Sequence, residues 1–130
     1  KLGLIPATIG PYVVEAIGAR QARRYFLTAE RFAAAEAFRI GLVHEVVPRD
    51  ELDARIEELL RALLAAGPRA QGEAKALIRA IAHRPIGDDV IEGTALRIAA
   101  VRASPEGKEG VAAFLDKRAP SWLSPALQKR

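Results

Sequence analysis

The side chains able to carry covalent or acid–base chemistry are few. There are two histidines, His44 and His83, and three serines, Ser104, Ser121 and Ser124. His44 falls in a predicted strand, and His83 near a predicted helix C-terminus, where the dipole favours a cation. No metal-ligand spacing links them, so both read as structural. The serines occupy a predicted cap and the tail, and none sits in a nucleophile elbow. No glycine-rich phosphate loop of either standard type is present. Cysteine is absent, which excludes disulfides and thiolate metal sites.

The acids give no stronger signal. Glu57 and Glu58 lie opposite an apolar stripe, and Asp88 and Asp89 begin a predicted helix, where negative charge is favourable. Glu106 and Glu109 lie in the first turns of the last predicted helix. None is flanked as a buried acid with a raised pKa would be. The side chains themselves therefore assign no catalytic residue and no metal site. Among the bases, Arg20, Arg23 and Arg24 cluster, and Lys117-Arg118 follow an apolar helical face. Ordinary surface charge is one reading, and contact with a nucleotide phosphate is the other.

These residues are carried by a chain of 130 residues, long enough for one domain. It is half hydrophobic but only 5% aromatic, a mixture that favours helices packed through small and aliphatic side chains. Lys1 to Gly10 is apolar and rich in small residues, like the end of a buried element entering a tight loop. Gly10-Pro11 starts a helix that Gly18 closes, a second short helix runs from Ala19 to Leu27, and Thr28 caps a third over 33–39 that ends at Gly41. Leu42 to Val47 is short, rich in valine and ended by Pro48, which predicts the one strand. Asp50 is the expected cap of the clearest helix, with Leu52, Ile56, Leu59, Leu60, Leu63 and Leu64 in one stripe. Gly67-Pro68 starts a fifth helix, Asp88 another, and Ser104-Pro105-Glu106 the last, whose buried face is expected to be Val111, Phe114 and Leu115. The tail from Pro120 is expected to be extended.

Four stretches in register carry a resemblance. Leu4-Ile-Pro-Ala-Thr-Ile-Gly-Pro-Tyr12 is followed by Ala22-Arg-Arg-Tyr-Phe-Leu-Thr28. Ala34-Ala-Glu-Ala-Phe-Arg-Ile-Gly-Leu-Val43 comes next with Val46-Val-Pro48, and then Glu109-Gly-Val-Ala-Ala-Phe-Leu-Asp-Lys-Arg118. Together they resemble the C-terminal half of the crotonase (enoyl-CoA hydratase/isomerase) superfamily, and the first is closest to its methylglutaconyl-CoA hydratase-like members. The resemblance implies a mainly α, helical C-terminal portion of a crotonase-like fold with one short strand. Residues 1–48 would end the core, 49–119 form a helical oligomerisation region, and 120–130 a tail.

By the same resemblance, the substrate is an acyl-CoA thioester such as 3-methylglutaconyl-CoA, used without a further cofactor in fatty acid or leucine catabolism. Ile5, Pro6, Ala7 and Thr8 would line the acyl pocket, and Phe114 and Lys117 would contact CoA. Their residue-level readings stay open beside this: a plain strand-to-helix loop, a core phenylalanine and a solvated lysine. Many hydratases carry glycine where Ala7 stands, and the added methyl would narrow the pocket. The catalytic glutamates and the oxyanion hole would lie upstream, so this portion alone is expected to be inactive. The full-length protein is expected to be a trimer or hexamer in the cytoplasm or matrix.

The chain has no methionine, at position 1 or elsewhere, and is expected to have been processed or cut. No segment has a signal-peptide plan or reaches membrane-spanning length. An isomerase or acyl-CoA hydrolase of the same superfamily is an alternative, as is a helical assembly module built on the Leu52 to Leu64 stripe. A helix-turn-helix over Thr28 to Val43 is a third, although its recognition stretch offers Ala, Phe and Ile where Arg, Asn or Gln would read bases. Neither nucleic acid nor a membrane is the expected partner.

Overall fold

The computed structural model describes residues 1–124, so the part of the expected tail from Pro125 to Arg130 lies outside the described residues. The chain divides into two compact units, Lys1–Leu52 and Asp53–Arg130. All regular structure among the described residues is helical.

In the first unit, α1 (Gly10–Thr28) begins with Pro11 in its first turn, where the missing N–H leaves no bond unmade. Gly18 interrupts it with φ 73° and ψ 157°, so the two short helices expected on either side of this glycine meet at a kink. Thr28 does not cap the next helix. Its hydroxyl donates back to the Arg24 carbonyl at 2.8 Å, and Ala29 to Ala33 intervene before α2 (Ala34–Arg39). That helix closes on Gly41 (φ +80°): the Gly41 N–H donates to the Phe38 carbonyl, and the Leu42 N–H donates to the Ala37 carbonyl at 2.8 Å. Ile17, Ala22, Tyr25 and Ile40 are buried together, with Val13, Phe26 and Leu42 packed against them. Burial of an isoleucine such as Ile17 contributes roughly 2 kcal/mol.

The expected strand at Leu42 to Val47 does not form. The amides of Leu42 and Val43 both turn back to the Ala37 carbonyl, and Val43 and Val46 are exposed. A strand needs a second extended segment to pair its backbone groups, and no strand occurs among the described residues.

After Pro48 a single 3₁₀ turn (Arg49–Glu51) leads into α3 (Leu52–Ala65), so Asp50 lies inside this turn and Pro48 precedes it. The predicted stripe on α3 is present but uncovered, its six members being 44–59% exposed. In the second unit follow α4 (Pro68–Ile81), α5 (Asp88–Ala103) and α6 (Pro105–Leu115). Ser104 serves two helices at once: its hydroxyl donates to the Val101 carbonyl at 2.6 Å and accepts from the Gly107 N–H at 3.0 Å.

The face of α6 turned inward is not the expected one. Val111, Phe114 and Leu115 are exposed, and Ala113 is buried, with Glu106, Glu109 and Gly110 half-buried beside it. These four stand at i, i+3, i+4 and i+7, one helical face. Close approach explains the choice of small residues there. A Cβ on Gly110 would stand 3.1 Å from the Trp122 ring, and in the first turn a Cβ on Gly107 would stand 2.2 Å from the Val101 carbonyl oxygen.

The acid on that face caps a different helix. The Glu106 carboxylate accepts from the backbone N–H groups of Arg69 at 3.0 Å and Ala70 at 2.8 Å, in the first turn of α4. The far end of α3 is closed comparably, with Gln71 Nε2 donating to the Leu63 carbonyl and Trp122 Nε1 to that of Ala65 at 3.1 Å. Residues 120–123 consequently form a turn, with the Leu123 N–H on the Pro120 carbonyl, where an extended tail was expected. Trp122 and the Ser121 N–H, which donates to Glu109, hold it.

Candidate ligand-binding site

Of the residues expected to line an acyl pocket, Ile5, Pro6, Ala7 and Thr8 form the exposed turn entering α1. The Ala7 N–H donates to the Ile5 carbonyl at 2.9 Å, and the Pro6 carbonyl accepts from the Gly10 N–H at 2.8 Å. The Ala7 amide is therefore committed within the turn. Leu2, Leu4 and Ile5 are all at least 80% exposed, so this segment presents a run of bare apolar side chains.

Phe114 and Lys117 belong to the second unit, apart in sequence from the loop but adjacent to each other at the end of α6. Phe114 is 81% exposed, so its reading as a core residue is overturned. Lys117 takes a left-handed conformation, φ +53°. Its N–H donates to the Phe114 carbonyl at 3.3 Å, and the Arg118 N–H to the Ala113 carbonyl at 3.0 Å, the paired bonds of a Schellman ending. No carboxylate among the described residues pairs with the Lys117 ammonium. Arg118 is held on both sides. Its guanidinium donates to the two Glu109 oxygens at 2.7 and 2.9 Å and approaches Asp116 at 3.5 Å.

The arginine cluster has a different fate. Arg24 pairs with Glu30 at 2.5 Å and lies over the Tyr25 ring, 5.3 Å from its centre, so it is not a free phosphate contact. Arg20 and Arg23 remain exposed on α1. Beside them, Tyr25 donates its hydroxyl to Glu36, whose other donor is Arg39 at 2.5 Å. These groups and Phe32, whose ring centre lies 4.6 Å from that of Tyr25, border an open cleft of about 520 Å³. The two polar side chains of α2, Glu36 and Arg39, are thereby tied to one another, which leaves α2 without a free side chain to read bases.

Charge pairing fixes the ionisation of these acids. Hydrogen bonds from Arg39 and then Tyr25 hold the Glu36 carboxyl down at about 2, and the bond to Glu36 pushes the Tyr25 phenol up. Arg118 and then the Ser121 N–H hold Glu109 at about 2, and Arg24 lowers Glu30. Such carboxylates stay ionised near neutrality and accept hydrogen bonds; they do not deliver protons. The residue types alone did not reveal these pairs. Glu36 lies 11 residues from Tyr25, and Glu109 is nine from Arg118 across a helix end. Only the αL turn after α6 brings the second pair together.

A family model described as enoyl-CoA hydratase/isomerase matches residues 1–125. Carnitinyl-CoA dehydratase from Salmonella typhi is 30% identical over 126 residues, which are 94% of this chain and 48% of that protein. Among solved structures, a protein described as an enoyl-CoA hydratase/isomerase (crotonase) from Legionella pneumophila superposes with a TM-score of 0.89 at 41% identity, over 93% of this chain and 47% of its own. An enoyl-CoA hydratase from Shewanella pealeana gives 0.87 at 44% identity, over 93% and 45%. The chain thus spans about half the length of the relatives it matches. These matches fix that share and do not support the C-terminal placement expected from the order of the motifs.

Proposed function

Because the chain belongs to the enoyl-CoA hydratase/isomerase family, we propose that the full-length protein adds water across the double bond of a 2-enoyl-CoA thioester. The match over residues 1–125 carries this reading, since it includes both the Ile5–Thr8 turn and the end of α6. In this reading two backbone amides outside this chain polarise the thioester carbonyl and stabilise the enolate-like oxyanion. Two glutamates, also outside it, bind the water, deliver hydroxide to the β-carbon and a proton to the α-carbon. The 130 residues alone are expected to be inactive, because the glutamates and amides of this reading lie outside them; of the chain's own acids, Glu30, Glu36 and Glu109 are in addition held by arginines.

The chain's own residues bind and shape. Ile5, Pro6, Ala7 and Thr8 wall the acyl group, with the Ala7 methyl narrowing the space available. Lys117 offers its ammonium to a CoA phosphate and Phe114 an apolar face beside it. The exposed apolar run at Leu2, Leu4 and Ile5 supports a covering partner, supplied by the remaining half of the protein in a cytosolic or matrix homo-oligomer.

The Ile-Pro-Ala-Thr turn favours a branched, carboxylated substrate such as 3-methylglutaconyl-CoA. The carnitinyl-CoA dehydratase relative favours carnitinyl-CoA as a second candidate. The test is turnover by the full-length protein of crotonyl-CoA, 3-methylglutaconyl-CoA and carnitinyl-CoA, followed by loss or gain of the enoyl chromophore. Preferred hydration of 3-methylglutaconyl-CoA is the expected result. Double-bond migration without water uptake, or release of free CoA, would overturn hydration in favour of isomerase or hydrolase activity.

A further inference from the structure

We propose that Glu109 is a positioning residue: it locks the turn after α6 so that Lys117, and not its neighbour Arg118, presents a free cation beside Phe114. The proposal rests on the CoA reading of Lys117 and Phe114. Two helices of this chain end in the same Schellman arrangement, and the comparison between them motivates it. After α2 the left-handed position is Gly41, the residue that takes such a conformation without steric cost. After α6 the same position is Lys117, φ +53°, where a Cβ must be accommodated against the following carbonyl. Ala29 at the end of α1 and His83 just past α4 are left-handed too, so what sets Lys117 apart is the pairing around it and not the conformation alone.

The surroundings over-determine this conformation. Glu109 accepts both arms of the Arg118 guanidinium, at 2.7 and 2.9 Å, and its Oε1 also takes the Ser121 N–H at 2.8 Å. Arg118 Nη1 further donates to the Ala119 carbonyl at 3.3 Å. Two residues that follow the turn, Arg118 and Ser121, are thereby bound to one carboxylate on α6. Of two adjacent cations, the arginine is neutralised by Glu109 and Asp116, and the lysine is left without an acid among the described residues. A backbone fixed at Lys117 anchors the root of its side chain at the end of α6 before any ligand arrives, so only side-chain freedom is left to lose on binding an anion. A flexible turn would let Lys117 reach Asp116 or Glu109 whenever Arg118 released them. The ligand chemistry this suits is a phosphate ester bearing an apolar or aromatic group for Phe114.

The test is calorimetric titration of CoA into the full-length protein and its variants, with crotonyl-CoA kinetics alongside. Lys117→Ala is expected to weaken CoA binding about tenfold. Glu109→Gln is expected to weaken it about fivefold, with a larger effect on KM than on kcat, and less than about twofold when introduced into Lys117→Ala. Equal weakening by Glu109→Gln in both backgrounds, or none in either, overturns the positioning role while leaving the CoA reading intact. Unchanged binding in Lys117→Ala overturns the CoA reading and the proposal with it. Should Glu109→Gln fail to fold, Arg118→Gln breaks the same pair from the other side and must show the same dependence on Lys117.

Discussion

Residues 1–52 bury Ile17, Tyr25 and Ile40 against one another, whereas Ala113 is the one buried apolar side chain among described residues 53–124. The first unit is held as small domains usually are, by aliphatic and aromatic side chains removed from water. The second is held at its joints: Ser104 between α5 and α6, Glu106 on the first turn of α4, Trp122 on the end of α3, Glu109 across the tail. Most of its large apolar side chains are exposed, with Leu77, Val90 and Val101 half-buried. A helix array can therefore be specified by close backbone approach and end-capping while its hydrophobic stripes are kept for another surface.

The largest effect that would test this contrast is Gly107→Ala. Its Cβ would sit 2.2 Å from a carbonyl oxygen, so α5 and α6 must separate, at a cost of about 3 kcal/mol, measurable by urea denaturation. A cost below about 1 kcal/mol would mean that the joint is not what holds this region. Glu106→Ala should cost about 1 kcal/mol through the lost cap and accelerate amide hydrogen exchange at Arg69 and Ala70.

Acid sharpens the comparison, because each unit depends on one carboxylate held at about 2: Glu36 in the first, Glu109 in the second. A depressed carboxyl contributes stability fully above its ordinary 4.5 and loses it as the pH falls through about 2. Glu36→Gln should therefore flatten the dependence of the first unit's denaturation midpoint on pH between about 4.5 and 2, with the apolar cluster still formed. Complete loss of near-ultraviolet signal from Tyr25 would show that the ion pair, not the cluster, holds the unit. The smallest effect is expected from Leu60→Lys on α3, within about 0.5 kcal/mol for this 130-residue chain, since Leu60 is already half exposed.

The helices were legible because punctuation and periodicity agree: Gly10-Pro11, Gly67-Pro68 and Ser104-Pro105 each open a helix where the residue types require. Gly18 was read correctly as an interruption for the same reason. The strand was not, since valine-rich spacing reports a preference that only a pairing partner realises, and no partner lies among the described residues. The inward face of α6 was misread because Phe114 and Leu115 outrank Glu106 and Gly110 in hydrophobicity. What turns a helix face inward here is the space left by glycine and the orphan amides of α4, and neither is visible in α6's own sequence. The residues proposed for the site rest on the resemblance of the four motifs, and their pairings could not be read from it. Lys117 and Arg118 are indistinguishable as adjacent cations until the turn assigns one of them to Glu109.

Glu106 reaches α4 over a distance of 37 residues in sequence, and it does so past a glycine at position 67. A Cβ at Gly67 would lie 2.6 Å from the Glu106 carboxylate oxygen. The two positions are consequently epistatic. Glu106→Ala makes Gly67→Ala cheaper, so the double variant should lose less stability than the two single ones added together. Mutational order then matters for any lineage that drifts here: a change at position 106 eases a later change at position 67, so a tolerance map made one substitution at a time would overstate how tightly glycine 67 is held.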